Sequence, residues 1–312
     1  MEKRAVEKRK IGSLEVSLAG LGCNNFGWRI DAEGTAAVVT AAIESGINFF
    51  DTADIYGGGQ SEEFLGRALK DRRDRVLIAT KFGMKMAEGK AGAKPAYIRQ
   101  AAEDSLRRLG TDHIDLYQIH QPDPSTPIAD TLGALNELVK AGKVREIGCS
   151  NFSAEQLREA ASVRTGAHFV SVQNNYSLLH REPEAEVLPE CQRQGLAFLP
   201  YFPLANGLLT GKYRKGEPFP KSSRGEDGFG PKVFTDQNLA LADQLRGIVE
   251  SRGHTLLELA MAWLASKRVV ASVIAGAKTP EQVKANASAV TWKLTEADLA
   301  AVEGILTSKA HG

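Results

Sequence analysis

Seven short apolar runs in this chain each end at a polar or charged residue, and helical patterns separate the runs. The residues at or just after these ends are, in chain order, Asp51, Lys81, His120, Ser150, Gln173, Tyr201 and Lys278. In a barrel of parallel strands the carboxyl ends of all strands surround one pocket. The sequence therefore predicts an α/β fold of the (α/β)8 TIM-barrel type, with a site assembled from many strands.

The segments around these runs extend the barrel pattern. Residues 5–18 are typical of a β-hairpin with a Gly12-Ser13 turn, which would close the bottom of a barrel, and 17–22 should be the first barrel strand. Helices, two of them beyond the last strand, are predicted at 33–46, 60–70, 94–109, 127–141, 153–163, 182–194, 235–252, 255–267, 280–290 and 295–308. No domain boundary interrupts the pattern, so residues 1–312 are expected to form a single barrel domain.

Local signals mark where several helices should begin. Pro95 has the fixed φ that suits a first helical turn, and Thr279 followed by Pro280 gives a similar start near the end of the chain. Ser153 and Gln156 have the spacing of a capping box, in which each side chain bonds to the backbone N–H of the other residue.

Composition excludes several classes of protein. The net charge of +1 gives no excess that would favour binding to nucleic acid or to an anionic membrane. No segment approaches the ~18 continuous apolar residues of a membrane span, and the N-terminus lacks the apolar core of a signal peptide. Cys23, Cys149 and Cys191 are widely spaced, which indicates free thiols rather than disulfides or a zinc site. A cytoplasmic location is therefore expected.

A doubly wound sheet is the main alternative to a barrel. Gly20, Gly22 and Gly27 do not fit the G-x-G-x-x-G spacing of a Rossmann dinucleotide site. In an open sheet, ligand-binding residues also gather at one switch point. Polar residues here follow nearly every strand, which favours a closed ring.

Four of the polar residues make a chemically coherent set. The pKa of a tyrosine hydroxyl is ordinarily near 10, and a lysine ammonium beside Tyr56 should lower it. Asp51 would hold Lys81 charged and in place, and a neutral His120 could orient a carbonyl oxygen by hydrogen bonding. Such a set suits proton donation to an oxygen that gains negative charge, as in carbonyl reduction. Taken singly, each residue could instead cap a turn, face solvent or serve a structural role.

The chain also resembles the aldo-keto reductase family. Motifs GINFFDTADIYGGGQSEEFLGRAL, VLIATKFG, DLYQIHQPD and GKVREIGCSNFS carry the resemblance, followed by VQNNYSLL, PYFPLANGLLTGKY and VIAGAKTPEQVKANA. It covers about residues 10–305 and implies an (α/β)8 barrel with NAD(P)H-dependent, metal-free reduction of aldehydes and ketones. In that family Asp51, Tyr56, Lys81 and His120 match the catalytic residues, with Tyr56 as general acid in reduction.

The resemblance also implies a cofactor site. Ser150, Asn151 and Gln173 match the residues that hold the nicotinamide carboxamide, and Tyr201 matches an aromatic residue that stacks on the nicotinamide ring. Further cofactor-binding positions implied by the resemblance are Gly22, Leu204, Gly207, Gly276, Lys278, Gln282 and Asn286.

This chain departs from the family pattern near its last strand. Many members carry Pro at the position of Ala275, Arg or Lys at Gly276 and Arg at Gln282. Lys278 is the obvious cation left in that segment, and it could pair with a 2′-phosphate or simply be a solvated loop lysine. The preferred cofactor is therefore expected to be NADP(H), with NAD(H) as the alternative.

The substrate is expected to be a small carbonyl compound, with Trp28 and Phe82 as candidate contacts. Residues 205–234 show no clean periodicity, and a long irregular segment of this kind is often a lid. Its part 214–230 is expected to be mobile and to fold over bound cofactor. A regulatory or redox-sensing subunit that binds NADP(H) with little turnover is the alternative function; an isomerase or hydrolase would leave the nicotinamide-binding set unexplained.

Overall fold

A two-stranded hairpin precedes a closed barrel in the computed structural model. The structure describes four stretches of the chain, residues 6–163, 166–221, 223–228 and 232–307. Strand β1 (Lys8–Ile11) pairs antiparallel with β2 (Leu14–Ser17) around the Gly12-Ser13 turn. Gly12 has a φ of +55°, which glycine adopts without steric cost. The predicted hairpin is therefore confirmed, although Ala5 at its start lies outside the described residues.

Eight parallel strands form the predicted barrel. They are β3 (Ala19–Gly22), β4 (Phe49–Asp51), β5 (Leu77–Phe82), β6 (Ile114–Ile119), β7 (Val144–Ser150), β8 (Phe169–Asn175), β9 (Ala197–Tyr201) and β10 (Val273–Gly276). From β3 to β9 each strand pairs with the next in chain order, and β10 pairs with β3. The ring closes beside β9, where the N–H of Phe198 donates to the carbonyl of Val269 at 2.8 Å and the N–H of Ala271 donates to the carbonyl of Phe198 at 3.0 Å.

Successive side chains along these strands point alternately into the barrel and out toward the helices. The hairpin covers the barrel at the amino ends of the strands. Its apolar side chains pack with inward-facing strand residues in one buried cluster: Ile11, Leu14, Val16, Phe49, Ala79, Leu116, Ala197, Leu199, Ala271 and Ile274. Burial of this cluster away from water stabilises the closed end of the barrel.

Helices cover the outside of the barrel. They are α1 (Ala32–Glu44), α2 (Gln60–Leu69), α3 (Pro95–Leu109), α4 (Ile128–Lys140), α5 (Ala154–Ser162), α6 (Val187–Gln194), α7 (Asp236–Glu250), α8 (Leu256–Ala265), α9 (Pro280–Ala289) and α10 (Glu296–Thr307). Ser153 and Gln156 form the predicted capping box, and the Thr279 side chain caps α9. Within the described ranges, no helix has both the length and the apolar character to span a membrane.

The helix predicted at 182–194 is shorter in the structure. A 3₁₀ turn covers Glu182–Glu184, and α6 begins only at Val187. Pro189 explains the difference, because proline has no N–H to bond the carbonyl four residues earlier and its ring clashes with that carbonyl. Proline is tolerated in the first turn of a helix, so α6 must start just before it.

The stretch 205–234 is more ordered than its sequence suggests. Residues Ala205–Thr210 form a kinked 3₁₀ helix, and Leu208 and Leu209 are buried. Tyr213 is also buried, and its ring contacts Phe219 and Phe234 at centroid distances of 5.7 and 4.9 Å. Apolar residues spaced irregularly along the chain therefore anchor this segment. Residues 222 and 229–231 of the stretch lie outside the described residues.

Candidate active site

A cavity of about 980 Å³ opens at the carboxyl ends of the barrel strands. Most residues that the sequence marked as site candidates line it: Gly22, Trp28, Asp51, Tyr56, His120, Ser150, Asn151, Gln173, Tyr201, Leu204, Gly207, Gly276, Lys278, Gln282 and Asn286. Parallel strands bring these residues together because their ends share one edge of the ring.

Lys81 lies beneath the cavity wall and joins Asp51 to Tyr56. Its Nζ donates to Oδ2 of Asp51 at 2.6 Å and to the carbonyl of Thr52 at 2.9 Å. It also interacts with Tyr56, whose ring centroid lies 5.2 Å from Nζ. Both members of the ion pair are almost fully excluded from solvent. The three residues that the sequence grouped thus form one connected set.

The balance of effects on Tyr56 differs from the sequence-based expectation. Burial raises the pKa of Tyr56 above its ordinary value of 10 and outweighs the lowering by the Lys81 ammonium. Burial also opposes the charge on Lys81, but Asp51 and Tyr56 more than compensate, and the pKa of Lys81 is raised. At neutral pH the structure therefore holds a protonated phenol against a charged ammonium, which suits Tyr56 to donate a proton.

His120 presents a neutral imidazole to the cavity. Burial, reinforced by the positive charge of Lys81, lowers the pKa of His120 to about 3. Its ring lies edge-on to Tyr56 with centroids 5.8 Å apart. Nδ1 of His120 is buried and has no hydrogen-bond partner among the described residues. A neutral ring keeps one N–H, which can donate to an oxygen placed between His120 and Tyr56.

Asn151 connects three strand ends. Its φ is 63°, a left-handed conformation that Asn tolerates better than most residues. Its backbone N–H donates to the carbonyl of Gln173 at 3.1 Å and to Oδ1 of Asn174 at 2.7 Å. Its Nδ2 donates to the carbonyl of His120 at 2.9 Å, and its Oδ1 accepts from the hydroxyl of Tyr201 at 2.8 Å. The side chain is therefore held in one orientation at the cavity wall.

Gln173 has a second contact that the sequence did not reveal. Its Nε2 donates to Oδ1 of Asp51 at 2.9 Å, so this residue touches the ion pair as well as lining the cavity. The hydroxyl of Ser150 donates to the Gln173 carbonyl at 2.7 Å and fixes the neighbouring strand end. Because Gln173 has no charge, only the folded geometry could expose its link to Asp51.

Backbone geometry beyond β9 allows close approach to the cavity. Asn206 and Gly207 have φ values of 56° and 96°, and the latter would strain most side chains. At Gly276 an added Cβ would lie 3.1 Å from Oδ1 of Asn24 and 3.2 Å from Nδ2 of Asn25. These two asparagines occupy the space that a larger side chain at position 276 would need, which accounts for the glycine there.

Several cations surround one part of the cavity. Arg29, Lys212, Arg224 and Lys278 all line it. Burial lowers the pKa of Lys278, and the positive charges of the three other residues lower it further. Arg29 Nη1 pairs with Oδ2 of Asp227 at 2.8 Å. Arg29, Lys212 and Arg224 were not predicted from the sequence, because they come from loops far apart in the chain; their positions after strand ends were the available signal.

The last βα turn is organised around helix α9. Gln282 accepts a hydrogen bond from the backbone N–H of Lys278 at 2.7 Å through its Oε1. Asn286 is largely buried, one turn further along the same face of α9, and also lines the cavity. Positively polarised N–H groups at the start of α9 favour a negative group nearby.

The two candidate substrate residues have different environments. Trp28 lines the cavity and is 54% exposed, with the Arg29 guanidinium 4.3 Å from its ring centroid. Phe82 does not line the cavity: it is fully buried and packs on Tyr117 with ring centroids 4.8 Å apart. Since Lys81 points into the barrel, the next residue on the strand must point outward to the helices. The prediction for Phe82 is therefore withdrawn.

No group of three or more His, Cys, Asp or Glu side chains is arranged to hold a metal ion within the described part of the chain.

Comparison with known proteins gives a consistent assignment. The model of the Aldo/keto reductase family matches residues 19–307. The chain is 36% identical over 303 residues to aldo-keto reductase YhdN of Bacillus subtilis (strain 168), covering 94% of this chain and 91% of that protein. It is 33% identical over 310 residues to probable aldo-keto reductase 1 of Glycine max, covering 96% and 88%.

Solved structures show the same architecture. The glycerol dehydrogenase AKR11B4 from Gluconobacter oxydans superimposes with a TM-score of 0.84 at 32% identity, covering 99% of this chain and 96% of that one. The holo form of aldo-keto reductase AKR11C1 from Bacillus halodurans gives a TM-score of 0.82 at 34% identity, covering 96% of each chain.

Proposed function

The chain belongs to the aldo/keto reductase family of oxidoreductases, and we propose that it reduces aldehydes or ketones to alcohols with NADPH, using Tyr56 as the proton donor. One observation carries the proposal: the buried Lys81 ammonium interacts with both Asp51 and Tyr56 at the wall of a large cavity. A carbonyl oxygen that gains an electron pair needs a proton, and this arrangement can deliver one.

The cavity suits a nicotinamide dinucleotide. Gly207, with its left-handed φ, permits close backbone approach of a phosphate, and cations including Lys212 and Arg224 line the same cavity. We assign the carboxamide contacts to Ser150, Asn151 and Gln173. When bound, the reduced cofactor supplies the hydride.

At the opposite end of the dinucleotide we assign contacts to residues on the last βα turn and α9. Gly276, Lys278, Gln282 and Asn286 line this part of the cavity. Lys278 would pair with a 2′-phosphate, and its lowered pKa, which burial and nearby cations cause, reflects an environment where an anion is favourable. Gly22 and Leu204 complete the cofactor assignment, and Tyr201 would stack on the nicotinamide ring.

Proton delivery follows from the states of the titratable groups. Tyr56 remains protonated at neutral pH because burial raises its pKa. The charge on Lys81 stabilises the phenolate that remains once the proton has moved to the substrate oxygen. Neutral His120 donates an N–H to the same oxygen and thereby fixes the carbonyl. In alcohol oxidation the phenolate of Tyr56 would act as the base.

The substrate is proposed to enter beside Trp28, which lines the exposed part of the cavity. Met84 and Phe202 also line it and give the mouth an apolar character. A carbonyl compound with a small polar or apolar group on either side fits this lining. One similar structure is a glycerol dehydrogenase, so glycerol and glyceraldehyde belong among the compounds tested.

The test is turnover of NADPH at about 340 nm, the nicotinamide absorbance band, with a panel of aldehydes, ketones and sugars. Tyr56→Phe should abolish multiple turnover while cofactor binding persists. Tyr97→Phe is the matched control, because Tyr97 is partly buried on α3 and does not line the cavity. Near-wild-type rates in Tyr56→Phe would refute the mechanism. Cofactor binding without turnover on the whole panel would instead favour a redox-sensing subunit.

A further inference from the structure

We propose that Gln118 is a positioning residue for proton donation: its amide orients the Asp51 carboxylate and, through it, the Lys81 ammonium beside Tyr56. The proposal rests on the proposed role of Tyr56 in carbonyl reduction. Neither the motif spacing nor the strand-end pattern marks Gln118, because it lies inside β6 rather than at its end.

The strand register places Gln118 directly beside the ion pair. Gln118 on β6 is paired with Lys81 on β5, so both side chains point into the barrel. Gln118 is fully buried, and its Nε2 donates to Oδ1 of Asp51 at 3.3 Å. Gln173 donates to the same oxygen at 2.9 Å. Two amides thus occupy Oδ1 and leave Oδ2 to the ammonium of Lys81.

The direction of this hydrogen bond is fixed by chemistry. An ionised carboxylate only accepts, so the amide NH2 and not the amide oxygen of Gln118 must face Asp51. The oxygen Oε1 is then buried without a hydrogen-bond partner among the described residues. An unsatisfied buried carbonyl lowers stability. An apolar side chain would fill the same space without this loss, so the presence of an amide points to a role in the site.

The neighbouring strand makes room for Gln118. Gly148 on β7 is paired with Gln118 and contributes no side chain. A Cβ at Gly148 would lie 3.3 Å from Cγ of Gln118 and 2.5 Å from Oγ of Ser171. Glycine at this position therefore keeps open the space through which the long side chain of Gln118 reaches Asp51.

The contact has an electrostatic consequence for Tyr56. The negative charge of Asp51 raises the pKa of Tyr56, an effect secondary to burial and opposed by Lys81. Two N–H dipoles on Oδ1 offset part of that charge and hold the carboxylate so that Oδ2 keeps Lys81 in contact with Tyr56. Without the Gln118 amide, Asp51 should act more strongly on Tyr56 and its position should be less fixed.

Gln118→Met tests the proposal in the full-length protein, because methionine fills a similar volume without a donor. The readout is the pH dependence of alcohol oxidation with NADP⁺, whose rate rises as Tyr56 loses its proton. We expect the apparent pKa to rise by about 0.5 unit or more, while the Kd for NADPH changes less than about twofold. Gln192→Met is the matched control, because Gln192 is exposed on α6 and does not line the cavity.

A pH profile of Gln118→Met that superimposes on the wild-type profile would overturn the proposal. If this variant fails to fold, Gln118→Asn serves instead, because its shorter amide cannot span the distance to Asp51; the same shift is expected and an unchanged profile is equally decisive. Failure of the proposed function looks different. If the proposed function is wrong, the wild-type protein lacks turnover or Tyr56→Phe retains it. If only the positioning role of Gln118 is wrong, the wild-type protein turns over and Tyr56→Phe does not.

Discussion

The hydroxyl of Tyr201 donates a hydrogen bond to Oδ1 of Asn151 across 2.8 Å, which joins the end of β9 to the end of β7. Nδ2 of the same asparagine donates to the carbonyl of His120 at 2.9 Å. The ring proposed to stack on nicotinamide is thereby tied to the strand that carries His120. Cofactor placement and substrate orientation should therefore depend on each other.

Tyr201→Phe should weaken cofactor binding moderately. It removes the hydroxyl and keeps the aromatic face, so the loss should be about 1 kcal/mol, or roughly fivefold in Kd, as for a single neutral hydrogen bond. Tyr201→Ala should cost more because stacking is lost as well. Quenching of protein fluorescence by NADPH measures both, with Tyr97→Phe as control. Equal Kd values for wild type and Tyr201→Phe would show that the hydroxyl has no part in binding.

Carbonyl reduction should show no histidine-dependent change in rate between pH 5 and 8. The pKa of His120 is lowered to about 3 by burial and by Lys81, so the ring stays neutral throughout that range. Reduction should fall only at high pH, as Tyr56 with its raised pKa loses its proton. Single-turnover rates of reduction, measured from pH 5 to 8 and at higher pH, give the pH profile. An acidic loss of rate centred near pH 6.5 that disappears in His120→Gln would contradict the assignment.

Lys278→Ala should reduce preference for NADPH over NADH. A charged hydrogen bond to a 2′-phosphate is worth ~1.5 kcal/mol, so the Kd for NADPH should rise about tenfold and that for NADH should change little. Lys284→Ala is the matched control because Lys284 is exposed on α9 and does not line the cavity. Calorimetric titration gives the Kd values for NADPH and NADH, and hence their ratio. If this ratio is the same in wild type, Lys278→Ala and Lys284→Ala, Lys278 does not bind the 2′-phosphate.

Removing one charge of the buried Asp51–Lys81 pair should destabilise the folded protein. Lys81→Met leaves a carboxylate without its counter-charge, and the free energy of unfolding should fall by ~3 kcal/mol. The double variant Asp51→Leu/Lys81→Met should recover part of this loss, because no unpaired charge remains. Urea unfolding of the four proteins completes the cycle. Additive losses in the double variant would argue against direct coupling.

Cofactor should protect the segment that crosses the cavity. Ser223 and Arg224 line the cavity, and Asp227 pairs with Arg29 on the first βα loop. Limited proteolysis of 214–230 should therefore slow when NADPH is present, and Asp227→Asn should remove much of the protection. Asp236→Asn, at the start of α7 beyond this segment, is the control. Equal cutting with and without NADPH would count against closure.

Much of the fold could be predicted because hydrophobic patterning and turn chemistry are local. Lys81 and His120 follow short runs rich in apolar residues, and Pro95 and Ser153 fix helix starts within one residue. Pro189 shows the limit of periodicity: an apolar helical pattern extends over 182–194, but the missing N–H of one proline determines where α6 begins.

The contacts between distant segments could not be predicted in the same way. Phe82 is next to Lys81 in the sequence, yet one step along a strand reverses the side-chain direction, so the two side chains lie on opposite faces of the barrel wall. Arg29 and Arg224 line the same cavity although they belong to loops far apart in the chain, and only the folded structure brings these loops together. Gln118 looks like an interior strand residue in sequence, and only the register with Lys81 brings it to Asp51.

The hairpin at the amino ends of the strands has a kinetic consequence. Because Ile11, Leu14 and Val16 pack against the barrel interior there, the rim at the other end is the entrance that a dinucleotide and a carbonyl compound would have to share. Two molecules that share one entrance are expected to bind and leave in a fixed order. If the dinucleotide binds first and leaves last, steady-state kinetics should be ordered, and product inhibition by NADP⁺ should be competitive with NADPH.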